Sequence, residues 1–464
     1  MSHYQPFWFE QAITREQSSA PQVLCSKIAT DVCIIGGGYT GLWTAIKLKL
    51  QSPEKDVVIL EKGLCGQGAS GRNGGCMLTF STKYPTLARL FGSQEALRLV
   101  NASEQAVYDI ARFCNEHHID AQVRVDGAMY TATNAAQSKS LNLSLDMLES
   151  AGIVGWQKKS DEFVQQYTGS DLNCEGMFNP HAGSLQPAYL VRGLARVARE
   201  LGVRIFEHSP MEHIAYGRQV RVTTPKGEVK AAKLVLAINA WAASTFKPFS
   251  RSIVLVSSDM LITKPMLGKL QTLSLDHGMA VADSRLFVHY YRTTPDGRLM
   301  LGKGGNLFAY GNKMLNAFEQ PSRYQTMLQA SFQRFFPDLP QTVERTWTGP
   351  SDRSVTGLPF FGKLADQPNV FYGLGYSGNG VVQSYLGGDI LSSLVLGLDN
   401  CWTRSGLAKG MRGQFPIEPV RYVGANIVKA SVRRKEAMED NGRKPLWFDC
   451  QMTKFAAAAG KADK

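Results

Sequence analysis

"DVCIIGGGYTGLWTAIKLKL", residues 31–50, decides the fold. It opens with an apolar run, Val32 to Ile35, of the kind that forms a buried strand. Gly36-x-Gly38-x-x-Gly41 follows, and then an apolar-periodic helix through Leu42, Ala45, Ile46 and Leu48. Gly36 permits a tight turn, Gly38 lets a pyrophosphate approach the backbone, and Gly41 lets the helix pack closely on the strand. Tyr39 and Thr40 lie at the helix start, where backbone N–H groups without intrahelical partners face phosphate oxygens.

The next strand, "DVVILEKG", ends on Glu61 and Lys62, with Glu61 20 residues after Gly41. A carboxylate there accepts hydrogen bonds from an adenosine ribose. A glycine triplet alone also occurs in turns of unrelated folds; strand, triplet, helix, strand and acid together point to a dinucleotide. This unit leaves NAD and FAD both open.

"GLCGQGASGRNGGCM", residues 63–77, separates them. It cannot pack a core, and it has neither a helical nor a strand period. A nicotinamide dehydrogenase needs no second bare loop here. FAD does, because its ring system extends past the pyrophosphate and a loop must run along it without side chains in the way. Gly74 and Gly75 supply the bare backbone; Ser70, Arg72 and Asn73 supply donors for phosphate or flavin atoms. A surface loop with a solvated Arg72 would use the same residue types, but the position after the ribose acid favours the flavin.

A third segment, "NVFYGLGYSGNGVVQSYLGGDILSSLVLG", reads as a strand over 370–372, a turn with Gly373, Gly375, Gly378 and Gly380, and a helix starting near Gly378–Val381 and ending near Leu396. The N-terminus of that helix is expected to face the pyrimidine end of the flavin, where reduction places negative charge.

These motifs, with "LVLAINAW", "YYRTTPDGRLMLG", "WTG" and "LPFFGKL", resemble the D-amino-acid-oxidase superfamily of FAD enzymes, which includes glycine and sarcosine oxidases. The resemblance covers nearly the whole chain. It is greatest for the gamma-glutamylputrescine oxidase branch and for chains of that branch assigned to aminophosphonate oxidation. It implies an α/β fold: a Rossmann-like FAD-binding domain, an interleaved antiparallel-sheet substrate domain (α+β), and a C-terminal helical tail. The FAD domain is expected over 25–85, 175–245 and 340–400, the substrate domain over 86–174 and 246–339, and a basic tail over 401–464.

The implied reaction is two-electron oxidation of a C–N bond, with a hydride passing from carbon to flavin N5 and the imine hydrolysing to an aldehyde or keto product. The substrate is a small amine, anionic in the aminophosphonate reading; a polyamine derivative is the alternative. The implied electron acceptor is molecular oxygen or a quinone. A flavin-binding subunit that passes electrons to a partner is the alternative class. The adenine is expected near Met211. Related chains read G-Y-S-G-H-G where this one has Asn379, so proton handling at that position is in doubt. Some relatives attach FAD to a cysteine before the "LPFFG" strand; none stands here, so non-covalent FAD is expected. Sarcosine oxidase-like members activate oxygen with a lysine on the "GRLMLG" strand; Met300 takes that position and Lys303 is the nearby candidate. Candidate substrate-binding residues are Arg353, Tyr376 in the turn facing the flavin, and Tyr291 and Arg292 on the expected roof strand.

Composition agrees with a globular enzyme: 464 residues and 44% hydrophobic, too long for one compact core. The eight cysteines include no C-x-x-C pair, and the histidines show no ligand spacing, so no metal site is indicated. No secretory signal is visible, and a reducing cytoplasmic location is expected. The net charge is +12, and residues 401–464 hold 13 Lys/Arg against 6 Asp/Glu. No aromatic-interleaved basic patch accompanies that charge, so nucleic acid is not an expected partner. "PIEPVRYVGANIVKASVRRKEAMED" reads as a basic amphipathic helix after Pro419. Its stripe of Val420, Val423, Ile427, Val428, Ser431 and Val432 is expected to dock on the protein body rather than on a membrane.

Overall fold

The computed structural model describes residues 4–16 and 20–456, so tail residues 457–464 lie outside the described residues. The described residues form two eight-stranded sheets and a short two-stranded one. The first grows from Lys27–Ile35, which pairs in parallel with Glu228–Leu236 on one side and Val57–Leu60 on the other. Gln367–Leu374 and Arg204–Phe206 extend it in parallel, and Phe360–Leu364 closes one edge antiparallel. Val32–Ile35 and Val57–Leu60 are buried without alternation, as a parallel sheet covered on both faces requires. Helix Tyr39–Gln51 packs against helix Gly380–Leu396 on one face. Both start at the cavity described below, so their N-termini converge on it.

The second sheet runs in the order Val343–Ser354, Ile253–Thr263, Leu299–Phe308, His289–Thr293, Ala280–Asp283, Ala128–Ala132, Glu175–Asn179 and Gln157–Lys159. Its neighbours are antiparallel except Ala280–Asp283 with Ala128–Ala132, which is parallel. The expected α/β architecture with an interleaved second sheet and a helical tail is therefore present. The expected boundaries need correction at two places. Segments 175–179 and 343–354, assigned above to the cofactor part, are strands of the second sheet. Val343–Ser354 pairs along its length with Ile253–Thr263, from Ile253↔Ser354 to Thr263↔Val343, so the chain returns to the first sheet only at Phe360. That crossing carries Ser351 to Arg353 along the cavity wall.

The tail helix forms over Val420–Asp440, and the expected stripe docks only through its C-terminal part. Val420, Val423 and Ile427 are exposed, whereas Arg421, Ser431 and Val432 are buried. The surface it meets is polar, and polar groups taken out of water need partners. Arg421 pairs with Glu418, Arg433 donates to Asn306 Oδ1 (3.0 Å), and Asp440 pairs with Arg285 (2.5 Å) and Arg334 (2.7 Å). Burial opposes the charged form of Asp440, but the hydrogen bonds from Arg285 and Arg334 outweigh it and bring the carboxyl down to about 2. A depressed folded-state value contributes stability above the ordinary carboxyl range that is lost as pH falls toward 2. Asp440→Asn should therefore remove about 1–2 kcal/mol at neutral pH, allowing for solvent screening, and flatten the stability profile between about pH 4 and 2. Asp283, also near 2, titrates in the same window and leaves a residual slope. Urea midpoints across that pH range check this; an unchanged acid limb refutes it.

Candidate active site

A cavity of about 910 Å³ is lined by both large sheets. The glycine turn forms part of its wall. Gly36 has φ +110°, and a Cβ there would meet Ala237 O at 2.4 Å, so only glycine fits. Gly38, Tyr39 and Thr40 line the cavity, while Gly41 sits behind them against Gly36 O. Ser70 Oγ accepts from Tyr39 N (2.9 Å), which joins the bare run to the start of the first helix. Beyond the turn stand Glu61, Lys62, His208 and Met211. Glu61 accepts from Gly37 N (2.7 Å) and Gly63 N (2.9 Å), and burial raises its carboxyl against those bonds.

The run 69–75 is held from behind. Asn73 bonds its own loop: its Nδ2 donates to Ser70 O (2.8 Å) and its Oδ1 accepts from Gly75 N (2.8 Å). Arg72 lines the cavity but donates to Gln67 O (2.8 Å) and to Phe318 O, so its guanidinium clasps two loops. Gly74 faces the cavity, where a Cβ would meet the Tyr290 ring at 2.6 Å. Gly75 (φ +73°) lies outside the lining, turned toward Leu185 O.

Tyr290, Ser351, Arg353, Tyr376 and the start of helix Gly380–Leu396 also line the cavity. Asp352 pins the turn before that helix. Its Oδ2 accepts from Gly375 N (2.6 Å), and burial, working against backbone hydrogen bonds from Gly375 and Tyr376, leaves the carboxyl at about 6. Gly375 itself does not line the cavity, whereas Gly378, Asn379, Gly380 and Val381 do. Asn379 makes no side-chain cap bond, and an amide neither gains nor loses a proton near neutral pH. The Tyr376 hydroxyl is engaged with Thr40 Oγ1 (2.7 Å). Arg353 reaches the cavity with its Nε buried and without a hydrogen-bond partner; Ser351 Oγ, two residues earlier on the same strand face, is also unpartnered. Burial lowers the Arg353 guanidinium to about 10, and it stays charged at neutral pH.

Three expected site residues are corrected. Tyr291 points away from the cavity into an aromatic core with Phe335 and Phe336, where its hydroxyl donates to Thr168 O (3.0 Å) and accepts from Asn173 Nδ2 (2.8 Å). Arg292 is buried beneath the loop: it donates to Gly74 O (2.6 Å) and Leu185 O (2.7 Å) and lies over the Trp8 ring. Lys303 sits on the outer face of the sheet, donating to Phe287 O (3.2 Å) and lying 2.9 Å from His289 Nε2, with burial lowering it to about 8. In a two-residue repeat, one slip of parity moves a side chain to the opposite face. Lys303→Met should change kcat/KM for oxygen by no more than about twofold while costing about 1–3 kcal/mol of stability through the polar groups left behind. A large oxygen effect in stopped-flow reoxidation would overturn that placement.

Tyr290 is the roof residue that the sequence reading missed. It sits directly opposite Gly302, whose Cβ would clash with its ring at 2.2 Å. Gly302 and Gly304, spaced by two, were the available signal for a face cleared to admit a large ring.

The cavity fits FAD on its own features: a helix N-terminus at a bare turn, a half-buried acid at the end of the second strand, a bare run held from behind, and a second helix N-terminus in its wall. Cys76 also lines the wall, but burial, despite Arg292, pushes its thiol up to about 11, so it carries no thiolate near neutral pH.

Comparison with known proteins agrees. The model of the FAD dependent oxidoreductase family (DAO) matches residues 31–394. A probable oxidoreductase OrdL of Haemophilus influenzae is 28% identical over 404 residues, covering 86% of this chain and 89% of that protein. The gamma-glutamylputrescine oxidoreductase of Escherichia coli is 28% identical over 377 residues, covering 81% and 85%. In fold, the chain is similar to glycine oxidase from Geobacillus kaustophilus, with a TM-score of 0.65 and 21% identity over 83% of this chain and 100% of that one. The chain belongs to the FAD dependent oxidoreductase family, and FAD is its cofactor.

Proposed function

We propose that the protein oxidises the C–N bond of a small amine bearing an anionic group, such as 2-aminoethylphosphonate or its N-methyl form. With water hydrolysing the imine and molecular oxygen taking the two electrons, the products are an aldehyde, ammonia or methylamine, and hydrogen peroxide. The observation that carries this reading is Arg353, charged and half-buried in the cavity wall, with its buried Nε unpartnered beside an unpartnered Ser351 Oγ. A buried guanidinium is poorly compensated until an anion meets it.

Gly36, Gly38, Tyr39, Thr40, Glu61, Lys62, Ser70 and Met211 are the residues assigned to hold FAD, with the run 69–75 along its ring. When bound, FAD supplies the two-electron acceptor. The chain's own residues do the rest. Arg353 and Ser351 fix the anion and so orient the C–H bond. Burial favours the neutral amine. The N-terminus at Gly380, with the Asn379 amide, places positive potential where reduction adds negative charge. Asp352 acts as a positioning residue by holding Gly375.

Without oxygen, 2-aminoethylphosphonate or its N-methyl form should bleach the bound flavin faster than gamma-glutamylputrescine does. The reverse order would transfer the reading to a polyamine derivative, the substrate class suggested by the name of the Escherichia coli relative. Under air, peroxide release separates an oxidase from an electron-transfer subunit. Acid should free the flavin from the denatured chain.

A further inference from the structure

The tail commits its acids to basic partners and leaves part of its apolar and basic side chains outward. Every described acid after residue 400 is committed: Glu418 to Arg421, Glu439 to Lys435, Asp440 to Arg285 and Arg334, and Asp449 to Arg434. Glu436 is half-buried beside Lys303 and Arg285. Arg443, Lys444 and Lys454 stay exposed. Helix Trp447–Ala456 exposes Trp447 (76%), Phe448 (49%) and Phe455 (65%), whose spacing puts them on one face. Helix Val420–Asp440 exposes Val420, Val423 and Ile427 at intervals of three and four, again one stripe. The two helices pack together and are tied by the Arg434–Asp449 pair.

Large aromatic side chains this exposed, grouped with cations, mark an interaction surface rather than scattered surface hydrophobes. We propose that this face lies on an anionic membrane surface. Trp447, Phe448 and Phe455 enter the headgroup boundary, and Arg443, Lys444 and Lys454 meet lipid phosphates. Charge complementarity selects this occupant. A second copy meeting the same face would set cations against cations, because a twofold contact is self-facing. No helix among the described residues is long and apolar enough to cross a membrane, so the contact is peripheral.

The test is sedimentation of the full-length, FAD-loaded protein with vesicles of equimolar phosphatidylglycerol and phosphatidylcholine, or of phosphatidylcholine alone. The protein should pellet with the mixed vesicles at low salt and be released by high salt. The neutral vesicles should hold at least about tenfold less. Trp447→Ser/Phe448→Ser/Phe455→Ser should lower partition by about tenfold or more, with flavin content and turnover in solution unchanged. Arg443→Gln/Lys444→Gln should erase most of the preference for anionic vesicles. Light scattering without lipid should give one mass for the intact protein and the triple variant. The proposal fails if the intact protein stays in the supernatant, if the triple variant partitions equally, or if a lipid-free dimer dissociates in that variant.

Discussion

Arg353→Met should lower kcat/KM for the anionic amine by about 10²–10³-fold while flavin content stays normal. The residue sits on strand Val343–Ser354, held along its length by Ile253–Thr263, so its position is set by a sheet rather than by a loop. Losing a desolvated, charge-assisted contact costs about 3–4 kcal/mol, which is the stated fold-change. An amine of similar size without the anionic group should lose less than about tenfold, because it never used the guanidinium. Anaerobic reduction of the bound flavin, titrated with both amines, gives the two ratios. Equal losses for both would mean that Arg353 supports the wall and does not recognise an anion. An unchanged kcat/KM would remove it from the site altogether.

Gly38→Val should yield a colourless protein. Gly38 has φ −88°, so a valine can adopt the backbone. Its Cβ would sit 2.9 Å from Ser70 Oγ, in the gap between the helix start and the bare run. The branches would then fill the space a pyrophosphate needs for close approach to the turn. FAD affinity is expected to fall by more than about 100-fold, whereas the apoprotein should lose only about 1–2 kcal/mol, the scale of a helix-cap change. The ratio of flavin to protein absorbance and urea midpoints of the two apoproteins read these separately. A yellow variant with normal flavin content would show that the phosphates lie elsewhere.

The cofactor half was legible because its signals are local. The Gly36 turn, the Glu61 strand end and the bare run each state a backbone requirement within a few residues. No side chain can satisfy φ +110° at Gly36 or the approach of Ala237 O to it. The long helix from Gly380 was equally readable, since an apolar run after a glycine-rich turn marks a helix buried on all sides.

The substrate half was legible only as elements. The sequence showed a roof strand with a two-residue period, but a period does not say which of its faces looks inward. Tyr290, and not Tyr291, faces the cavity, because Tyr291 and Lys303 belong to the face covered by Phe335, Phe336 and Glu436. Arg292 shares the inward parity of Tyr290, yet its hydrogen bonds go to Gly74 and Leu185, partners more than a hundred residues away in the chain.

The sequence by itself determined the FAD-type fold, the glycine that the tight turn at residue 36 requires, and the existence of a basic tail helix. Only the tertiary structure decided which faces of the roof strand and the tail helix turn inward. The reason is physical. A glycine's constraint lies in its own dihedrals and immediate neighbours, whereas a face is chosen by what the opposite surface offers. The tail met Asn306, Arg285 and Arg334, which reward Arg433 and Asp440 and give nothing to Val420 or Val423.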